Sequence, residues 1–534
     1  MKQHPFDRLI GFFAPQAAVK RLAARNILAY YEAAKPSKLR KFARDKSAPD
    51  VWVQRGAAAL RDQARDKCAN HDLARGILRK LVNNTVGPQG IGIEPQPRRA
   101  DGTIHEEYAK ALRDAWRDWQ RRPEVTWKHT WARSQRLMAA TWFRDGEAFA
   151  QMLSGPIASL DHGTRIPFSL ELFEPDMVPL EYSDGGRIRQ GIERNGWGRR
   201  VAYHVFKQHP GDLYGSFSSL TASRSDMRRI DASRMLHIAA LDRMHQLRGV
   251  SEFAAVLTRL EDIKDYEESE RIAAKIAAML TAYVKRGTPD MFDPDKVAHD
   301  ENGKALPPDI RLSAGAIITD LGIGEEIGLI DSKRPNPNLI GYRQGQLRAV
   351  AAGMPAGSYS SISRDYSGTY SAQRQELVES WIDYAVLTDD FTGQCVQPVW
   401  EAFVNVAHLS GIVKRPADVL PESADDALYI AMAMPWIDPL KEALAWHQLV
   451  QDGFAAEVEV MRRRGVNPRD VLEQMDSWRI AVKDKGLVLS SDYANEQGVA
   501  QPANDRGDGS SEAAVNAVLK QRLGKWLHEL GDEQ

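Results

Sequence analysis

The stretch that most constrains the fold lies between Pro335 and Gly411, where two helical patterns flank one polar loop. The first pattern, Leu339–Ala352, ends at Gly353 with a proline two residues further on, because proline cannot continue a helix and glycine favours its end. The second begins near Ser371, the predicted N-cap, and is long enough that Pro398 is expected to kink it. We expect the rest of the chain to be organised around these two helices and their loop.

Composition limits the classes of protein that remain. The chain has 534 residues, which suggests about three or four domains. Its 71 Lys and Arg residues are balanced by 72 Asp and Glu residues, so any role on DNA must use local patches or must not depend on tight binding. The two cysteines, Cys68 and Cys395, cannot form a disulfide framework. No apolar run reaches the ~18 to 20 residues of a membrane span and no signal peptide opens the chain, so we expect a cytosolic protein without membrane contact.

The amino-terminal part of the chain is predicted to be helical. The first 46 residues are basic, a composition typical of a solvated arm or of a segment that contacts phosphates or an acidic partner subunit. Helical patterns then cover Gly56–Val86, His105–Arg121 and Trp127–Arg144. Short strands are predicted at Gly90–Glu94 and Glu147–Leu153.

Alternating polar and apolar residues replace the helical period as far as residue 240. Asn195-Gly196 between two strand-like runs is a strong hairpin signal. The predicted strands are Phe168–Phe173, Ile188–Glu193, Arg200–Phe206 and Arg234–Ile238. This region is therefore predicted to be an α+β domain with an antiparallel sheet.

The longest helical pattern, Val250–Arg286, would be roughly 50 Å long, and its middle is strongly acidic. The following segment, Thr288–Lys333, is broken by prolines and has two strand-like runs, Ile310–Leu312 and Ala316–Ile318. A small β-rich unit thus sits between two helices. Its two ends must lie close together if those helices pack side by side.

Several short segments, in the same order along the chain, resemble the lambda-like portal proteins of tailed bacteriophages. The resemblance covers about residues 20 to 475, and the ordered series carries it rather than any single motif. The segments are Leu60–Asn70, Val82–Ile91, Arg144–Glu147, Gly191–Glu193, Ala202-Tyr203, His209-Pro210, Gln246–Val250, Gly353–Gly357 and Ile437–Glu442.

The resemblance implies an α+β portal fold and a ring, usually a dodecamer, at one vertex of the capsid. Viral DNA would be packaged through this ring and later ejected. The implied partners are the terminase large subunit, the major capsid and scaffold proteins, and the head-completion (adaptor) proteins. The chain would then divide into a basic arm (1–59), an α/β wing (60–249), a first stem helix (250–287), a β-rich clip (288–334), a second stem helix (335–353), a tunnel loop (354–370), a long kinked wing helix returning to the wing (371–436), crown helices (437–489), and a linker with a carboxy-terminal amphipathic helix (490–534).

The same resemblance implies which residues meet DNA. The tunnel-loop candidates are Arg364, Tyr359, Tyr366 and Tyr370, and the channel-lining stem candidates are Glu261, Asp265, Glu268 and Arg343. An acidic wall would repel phosphates, and a sparse ring of Arg364 side chains would centre the duplex. One alternative is that Arg364 pairs with Asp365 or with an acidic residue of a neighbouring subunit and that the tyrosines pack between loops. The alternative for the acidic run is a solvated helix face or salt bridges between subunits.

The sequence favours a structural protein over an enzyme. It has no Gly-x-x-x-x-Gly-Lys-Ser/Thr loop, no His-Glu-x-x-His and no Cys-x-x-Cys pair, so no catalytic residue, cofactor or metal is predicted. His204, His209, His237 and His245 are close in sequence but are expected to be ordinary histidines of a sheet domain. The remaining alternative is a DNA-processing protein or another phage head-assembly protein. We expect a component of the virion at the portal vertex, assembled in the host cytoplasm.

Overall fold

The computed structural model describes residues 16–17, 46–212, 226–278, 282–286, 325–329, 338–434 and 438–485. They fall into two compact units, which meet in sequence between Asp438 and Pro439. Most of the predicted arm (residues 1–15 and 18–45), the strands at 310–318 and the carboxy-terminal helix lie outside the described residues. No helix within the described ranges is long and apolar enough to cross a membrane.

Helices α1 (Pro49–Asn70) and α2 (Asp72–Thr85) open the described chain. The sequence predicted one helix here, and that prediction was wrong at His71. This residue is extended (φ −120°, ψ 121°), its ring accepts a hydrogen bond from the Leu73 N–H, and its Nε2 lies 3.0 Å from the Leu260 carbonyl oxygen. The histidine therefore caps α2 and breaks the longer helix.

Two further helices, α3 (Glu106–Trp119) and α4 (Trp131–Asp145), close the helical part. Helix α4 begins four residues later than predicted. Trp127 lies before it with φ 58°, a left-handed conformation that does not occur within an α-helix. Gly146 ends α4 in the same left-handed region and leads directly into the sheet.

Two antiparallel sheets form the middle of the first unit, as the alternating pattern predicted. One has the order β3-β2-β8 and the other the order β4-β5-β6-β7. Their bounds are β2 Glu147–Ser154, β3 Phe168–Phe173, β4 Ile188–Arg189, β5 Ile192–Arg194, β6 Arg200–Phe206, β7 Met227–Asp231 and β8 Met235–Ala239. A two-stranded sheet pairs β1 (Gly92–Pro95) with β11 (Ala427–Ile430).

The predicted hairpin at Asn195-Gly196 is confirmed, because β5 and β6 pair across it. The Asn195 side chain accepts hydrogen bonds from the N–H groups of Trp197 and Arg199. The single strand predicted over Ile188–Glu193 is divided in two by a turn. Gln190 and Gly191 both have positive φ there.

The long helix predicted over Val250–Arg286 is shorter at both ends. Helix α5 spans Leu257–Ala278, and turns occupy residues 252–256, where the Ser251 hydroxyl accepts from the Phe253 N–H. Residues Ala282–Arg286 form β9, which pairs with β10 (Glu325–Leu329). Arg286 is paired with Glu325, so the ends of the intervening segment lie close together, as expected.

The central stretch follows the prediction with local changes. Helix α6 spans Leu339–Gly353, and the loop after it contains a short helix, α7 (Tyr359–Ser363), which was not predicted. Helix α8 (Tyr370–Phe391) is capped by Thr369 rather than Ser371, since the Thr369 hydroxyl accepts from the Ala372 N–H. A π-helical segment (392–396) then joins α8 to α9 (Gln397–Leu409).

The π-helical segment lies where a proline kink was predicted. Pro398 is the second residue of α9 and has no N–H to donate to the Gln394 carbonyl. The side chain of the same residue contacts the sheet, because the Gln394 Oε1 accepts a hydrogen bond from the Ala239 N–H of β8. The interruption of the long helix is thus joined to the sheet.

Indole and phenyl rings fill the main core of the first unit. Trp116 stacks on Trp119 with ring centroids 4.6 Å apart and meets Trp400 edge-on at 5.3 Å. Trp119 Nε1 donates to the Phe168 carbonyl oxygen at 2.8 Å. The second unit contains α10 (Pro439–Gln451), α11 (Glu457–Arg463) and α12 (Pro468–Asp484), in the region where crown helices were predicted.

Candidate DNA-channel surface and a buried ion cluster

The loop between α6 and α8 is anchored by a close approach of two backbone segments. A Cβ added at Gly357 would lie 1.8 Å from the Ala351 carbonyl oxygen, so only glycine fits there. The Gly357 N–H donates to the Met354 carbonyl oxygen. Helix α7 is therefore fixed against the end of α6.

Arg364 follows α7 directly, in a left-handed conformation (φ 59°), and its side chain is exposed. It forms no ion pair with any residue that the structure describes. Asp365 does not bind it, because that carboxylate accepts from Ser367 and from the Tyr359 hydroxyl, and the Ser367 contacts are the main reason that the Asp365 pKa is lowered. The alternative pairing of Arg364 with Asp365 is thus not formed within this chain.

A second cation, Lys80 of α2, lies near Arg364. Burial lowers the pKa of the Lys80 ammonium, the charge of Arg364 lowers it further, and Glu376 opposes both effects. The Glu376 carboxylate accepts the Ser360 N–H at 3.0 Å. Sequence reasoning missed Lys80, since nothing in the helical pattern of α2 indicates that it reaches the loop.

The three tyrosines of the loop differ in exposure. Tyr366 and Tyr370 are more than half exposed. Tyr359 packs on the hydrophobic core, with the Arg348 guanidinium 5.1 Å from its ring and its hydroxyl bound to Asp365. Tyr359 is therefore packed within the subunit, as the alternative to DNA contact assumed for the tyrosines. Tyr366 and Tyr370 are exposed and available to an external partner.

Salt bridges occupy part of the acidic stretch of α5. Glu261 pairs with Lys67 of α1, Arg343 of α6 pairs with Glu267, and Glu268 pairs with Arg271. Asp265 is exposed. Glu261 and Arg343 thus hold neighbouring helices together, and Asp265 is the stem candidate that presents its charge to solvent.

A buried carboxylate, Glu147, organises the centre of the first unit. It lies at the start of β2 and is fully buried. Its oxygens accept from Arg248 Nε and Nη2, from Arg61 Nη2 and from the Gly249 N–H. His237 Nε2 lies 3.1 Å from Glu147 Oε2. We call Glu147, Arg61, Arg248 and His237 the Glu147 cluster.

Two cations and a neutral imidazole satisfy this single carboxylate. Burial alone would raise the Glu147 pKa, but the charge of Arg248 and the hydrogen bonds outweigh it and lower the pKa. Burial lowers the pKa of His237 to about 4, so the ring is neutral at pH 7. Its Nε2–H then donates to Glu147 while the Tyr203 hydroxyl, 3.3 Å away, donates to Nδ1.

One group of potential metal ligands occurs among the described residues. Atoms of Glu174, Asp176 and His209 lie within 4.8 Å of one another. Asp176, however, is bound by Arg61 and Arg65. The group is an extension of the ion network around Glu147, and two arginines at its centre disfavour a cation.

Comparison with known proteins decides the family. The model of the lambda family of phage portal proteins matches residues 35–387. The chain belongs to this family. A probable portal protein of Halomonas phage phiHAP-1 is 24% identical over 80% of this chain and 81% of the relative. The portal protein of Escherichia phage N15 is 21% identical over 63% of this chain and 67% of its own length.

Among the solved structures that resemble this chain are proteins of gene transfer agent particles. The neck of the native particle, computed with C12 symmetry, has 13% identity, a TM-score of 0.37, and covers 78% of this chain and 99% of that chain. The neck of the empty particle, computed with C6 symmetry, has 11% identity, a TM-score of 0.41 and coverage of 79% and 95%. The α+β portal fold expected from the sequence is confirmed by the family match.

Three segments that carried the resemblance to portal proteins meet in the Glu147 cluster. Leu60–Asn70 supplies Arg61, Arg144–Glu147 supplies the carboxylate, and Gln246–Val250 supplies Arg248. Sequence reasoning did not predict that they meet. The signal available was that each segment contains a charged residue next to an apolar run.

Proposed function

We propose that copies of this portal protein form a ring, a dodecamer, at one capsid vertex and that viral DNA passes through it during packaging and ejection. Membership of the portal family supports this role and supports a structural rather than an enzymatic protein. Work on the DNA would then be done by a separate motor, the terminase large subunit. The protein would be assembled in the host cytoplasm and remain in the virion.

The regions of the chain receive their roles within this proposal. Residues 60–249 form the wing together with the long helix in 371–436, and α5 and α6 form the stem. The clip at 288–334 docks the terminase and later the head-completion proteins. Residues 437–489 form the crown, and the ring contacts the major capsid and scaffold proteins and nucleates procapsid assembly.

The observation that carries the DNA-channel role is the exposed cationic turn at Arg364. It combines a guanidinium that no described carboxylate neutralises with the nearby ammonium of Lys80. Each phosphate contact contributes a salt-dependent attraction, so one or two cations per subunit attract DNA without holding it tightly. Tyr366 and Tyr370 add exposed hydroxyl donors, and Asp265 keeps the stem surface repulsive to phosphate.

The proposal is tested by Arg364→Glu in the phage genome. We expect rings of normal appearance by negative-stain microscopy but a loss of DNA-filled heads, because the variant replaces the attraction for phosphate by repulsion. Arg199→Glu is the matched control, since Arg199 is an exposed arginine at the tip of the β5–β6 hairpin. Equal yields of filled heads from the two variants would refute the role of the loop, and a variant that forms no rings would show that Arg364 acts in assembly instead.

A further inference from the structure

A cleft of about 350 Å³ lies between helix α8 and strand β11. Trp381, Tyr384 and Ala385 of α8 form one wall. Leu428 and Tyr429 belong to the opposite wall. None of these five residues belongs to the surface proposed to face DNA.

The cleft runs along the free edge of β11. It is lined by three consecutive strand residues, Ala427 to Tyr429, whereas a cleft over one face of a strand would touch alternate residues. The other edge of β11 is paired with β1, and β11 has no second strand partner among the described residues. An unpaired strand edge beside a partly apolar wall is the geometry to which extended peptides add.

The register shows which main-chain groups face the cleft. The Gln96 N–H donates to the Asp426 carbonyl oxygen, so Leu428, two residues on, also points its main-chain groups at β1. Ala427 and Tyr429 alternate with these residues and point their N–H and C=O groups away from β1. Pro95, which has no N–H, lies opposite Ala427, as this register requires. Four main-chain groups therefore face the cleft without a hydrogen bond to any described residue.

The cleft is lined by apolar side chains at Trp381, Ala385 and Leu428 and by polar ones at Asn84, Thr388 and Thr392, and its rim is acidic. Apolar surface continues along α8 through Ile382 and Val386, which are 63% and 59% exposed. Asp389 lines the cleft. Burial raises the pKa of Tyr429, and the carboxylates near it, Glu401, Asp425 and Asp426, raise it further. The negative charge at this rim therefore favours binding of a positively charged partner.

The first 45 residues of the amino-terminal arm fit this surface by charge. They contain ten Lys or Arg residues and three Asp or Glu residues. The other long terminal segment, residues 486–534, contains eight acidic and four basic residues, so the rim would repel it.

One part of the arm has the composition of a strand. The run Leu9–Phe13 contains Ile and two Phe and is preceded by Arg8. Pro5 and Pro15 bracket it and disfavour a helix. The residues from 14 to 45 can span roughly 100 Å when extended, which is enough to reach across a subunit.

We propose that the cleft beside β11 binds the amino-terminal arm of this chain, with Leu9–Phe13 added as a strand to the free edge of β11. The N–H and C=O groups of Ala427 and Tyr429 would pair with the arm, and its apolar side chains would cover Trp381 and Ile382. The Lys and Arg side chains on either side of this segment would lie against the acidic rim. This docking is independent of the DNA-channel role.

Photo-cross-linking of the full-length chain tests the proposal. p-Benzoylphenylalanine placed at position 428, where the leucine is 41% exposed, should cross-link to peptides that contain residues 9–13, as read by mass spectrometry. The same probe at position 409, another exposed leucine but one that does not line the cleft, should give no such peptides. Cross-links from position 428 to residues 486–534 or to another protein, or arm peptides from both positions alike, would overturn the proposal.

Hydrogen exchange supplies a test that leaves the cleft unmodified. Deleting residues 1–15 should speed exchange of the Ala427 and Tyr429 amides by about tenfold, because they lose their partners. The Leu428 and Ile430 amides, which point towards β1, should exchange at unchanged rates. Equal rates at Ala427 and Tyr429 with and without the arm would contradict strand addition.

Discussion

Replacing Glu147 by glutamine should destabilise the first unit far more than an ordinary loss of a salt bridge. The carboxylate and Arg248 are both fully buried, and Arg61 is 3% exposed. Glutamine keeps the shape but removes the charge, so the buried Arg248 guanidinium loses its counter-ion and Arg61 keeps only Asp176, 3.4 Å away. Breaking a buried ion pair on one side costs about 3–5 kcal/mol.

The matched control is Glu171→Gln on the neighbouring strand β3. Glu171 is 28% exposed and has one ion-pair partner, Arg228, at 2.7 Å. A pair of this kind is worth at most ~1 kcal/mol. The two variants therefore make the same chemical change in one sheet and differ in burial and in the number of partners.

The assay is thermal unfolding of the full chain followed by tryptophan fluorescence, since Trp119 and Trp142 lie in the core that contacts this sheet. For a unit that spans Met1–Asp438, 1 kcal/mol shifts the midpoint by about 1 °C, because the entropy of unfolding grows with chain length. Glu147→Gln should lower the midpoint by roughly 3–5 °C, and Glu171→Gln by no more than about 1 °C. Equal shifts would show that the charge of Glu147 does not hold the cluster together.

Two further predictions concern the same region. His237 has a pKa of about 4 in the folded chain and one near 6.5 when unfolded, so the unfolded state takes up the proton first and the free energy of unfolding should fall by about 2 kcal/mol between pH 6.5 and pH 4.5. Denaturant titrations should show a flatter pH profile for His237→Gln, and an unchanged profile would exclude His237 as the cause. A Cβ at Gly249 would lie 2.0 Å from the Gly146 carbonyl oxygen, whereas one at Gly196 would meet nothing within 4 Å. Gly249→Ala should therefore cost about 3 kcal/mol or more and Gly196→Ala little, and similar melting temperatures for the two variants would contradict this steric argument.

The sequence predicted most elements of the first unit because their periodicity is strong, and it failed where a side chain decides the local backbone. His71 breaks a helix by capping the next one, which a pattern of apolar residues does not reveal. Residues 282–286 continue the helical pattern, yet they pair with residues 325–329, which are distant in sequence. Tertiary pairing outweighed local preference there.

The candidate site was predictable in part. A polar loop between two helices indicates an exposed surface, and Arg364, Tyr366 and Tyr370 are exposed in the structure. The packing of Tyr359 and the proximity of Lys80 depend on how α7 lies against α6 and α2, and no local pattern contains that information. The roles of these residues in contacting DNA remain predictions.

The segments shared with portal proteins account for contacts inside the subunit rather than for the surfaces proposed to bind DNA. Three of them build the Glu147 cluster, and a fourth, Gly353–Gly357, contains the glycine whose close approach fixes α7 on α6. None of the four supplies a residue proposed to contact DNA. These interior contacts nevertheless determine the position of Arg364, because Arg364 follows α7 directly. A substitution at Gly357 should therefore impair packaging by moving the loop, whereas one at Arg364 should do so with the loop in place, and hydrogen exchange of the α7 amides distinguishes the two.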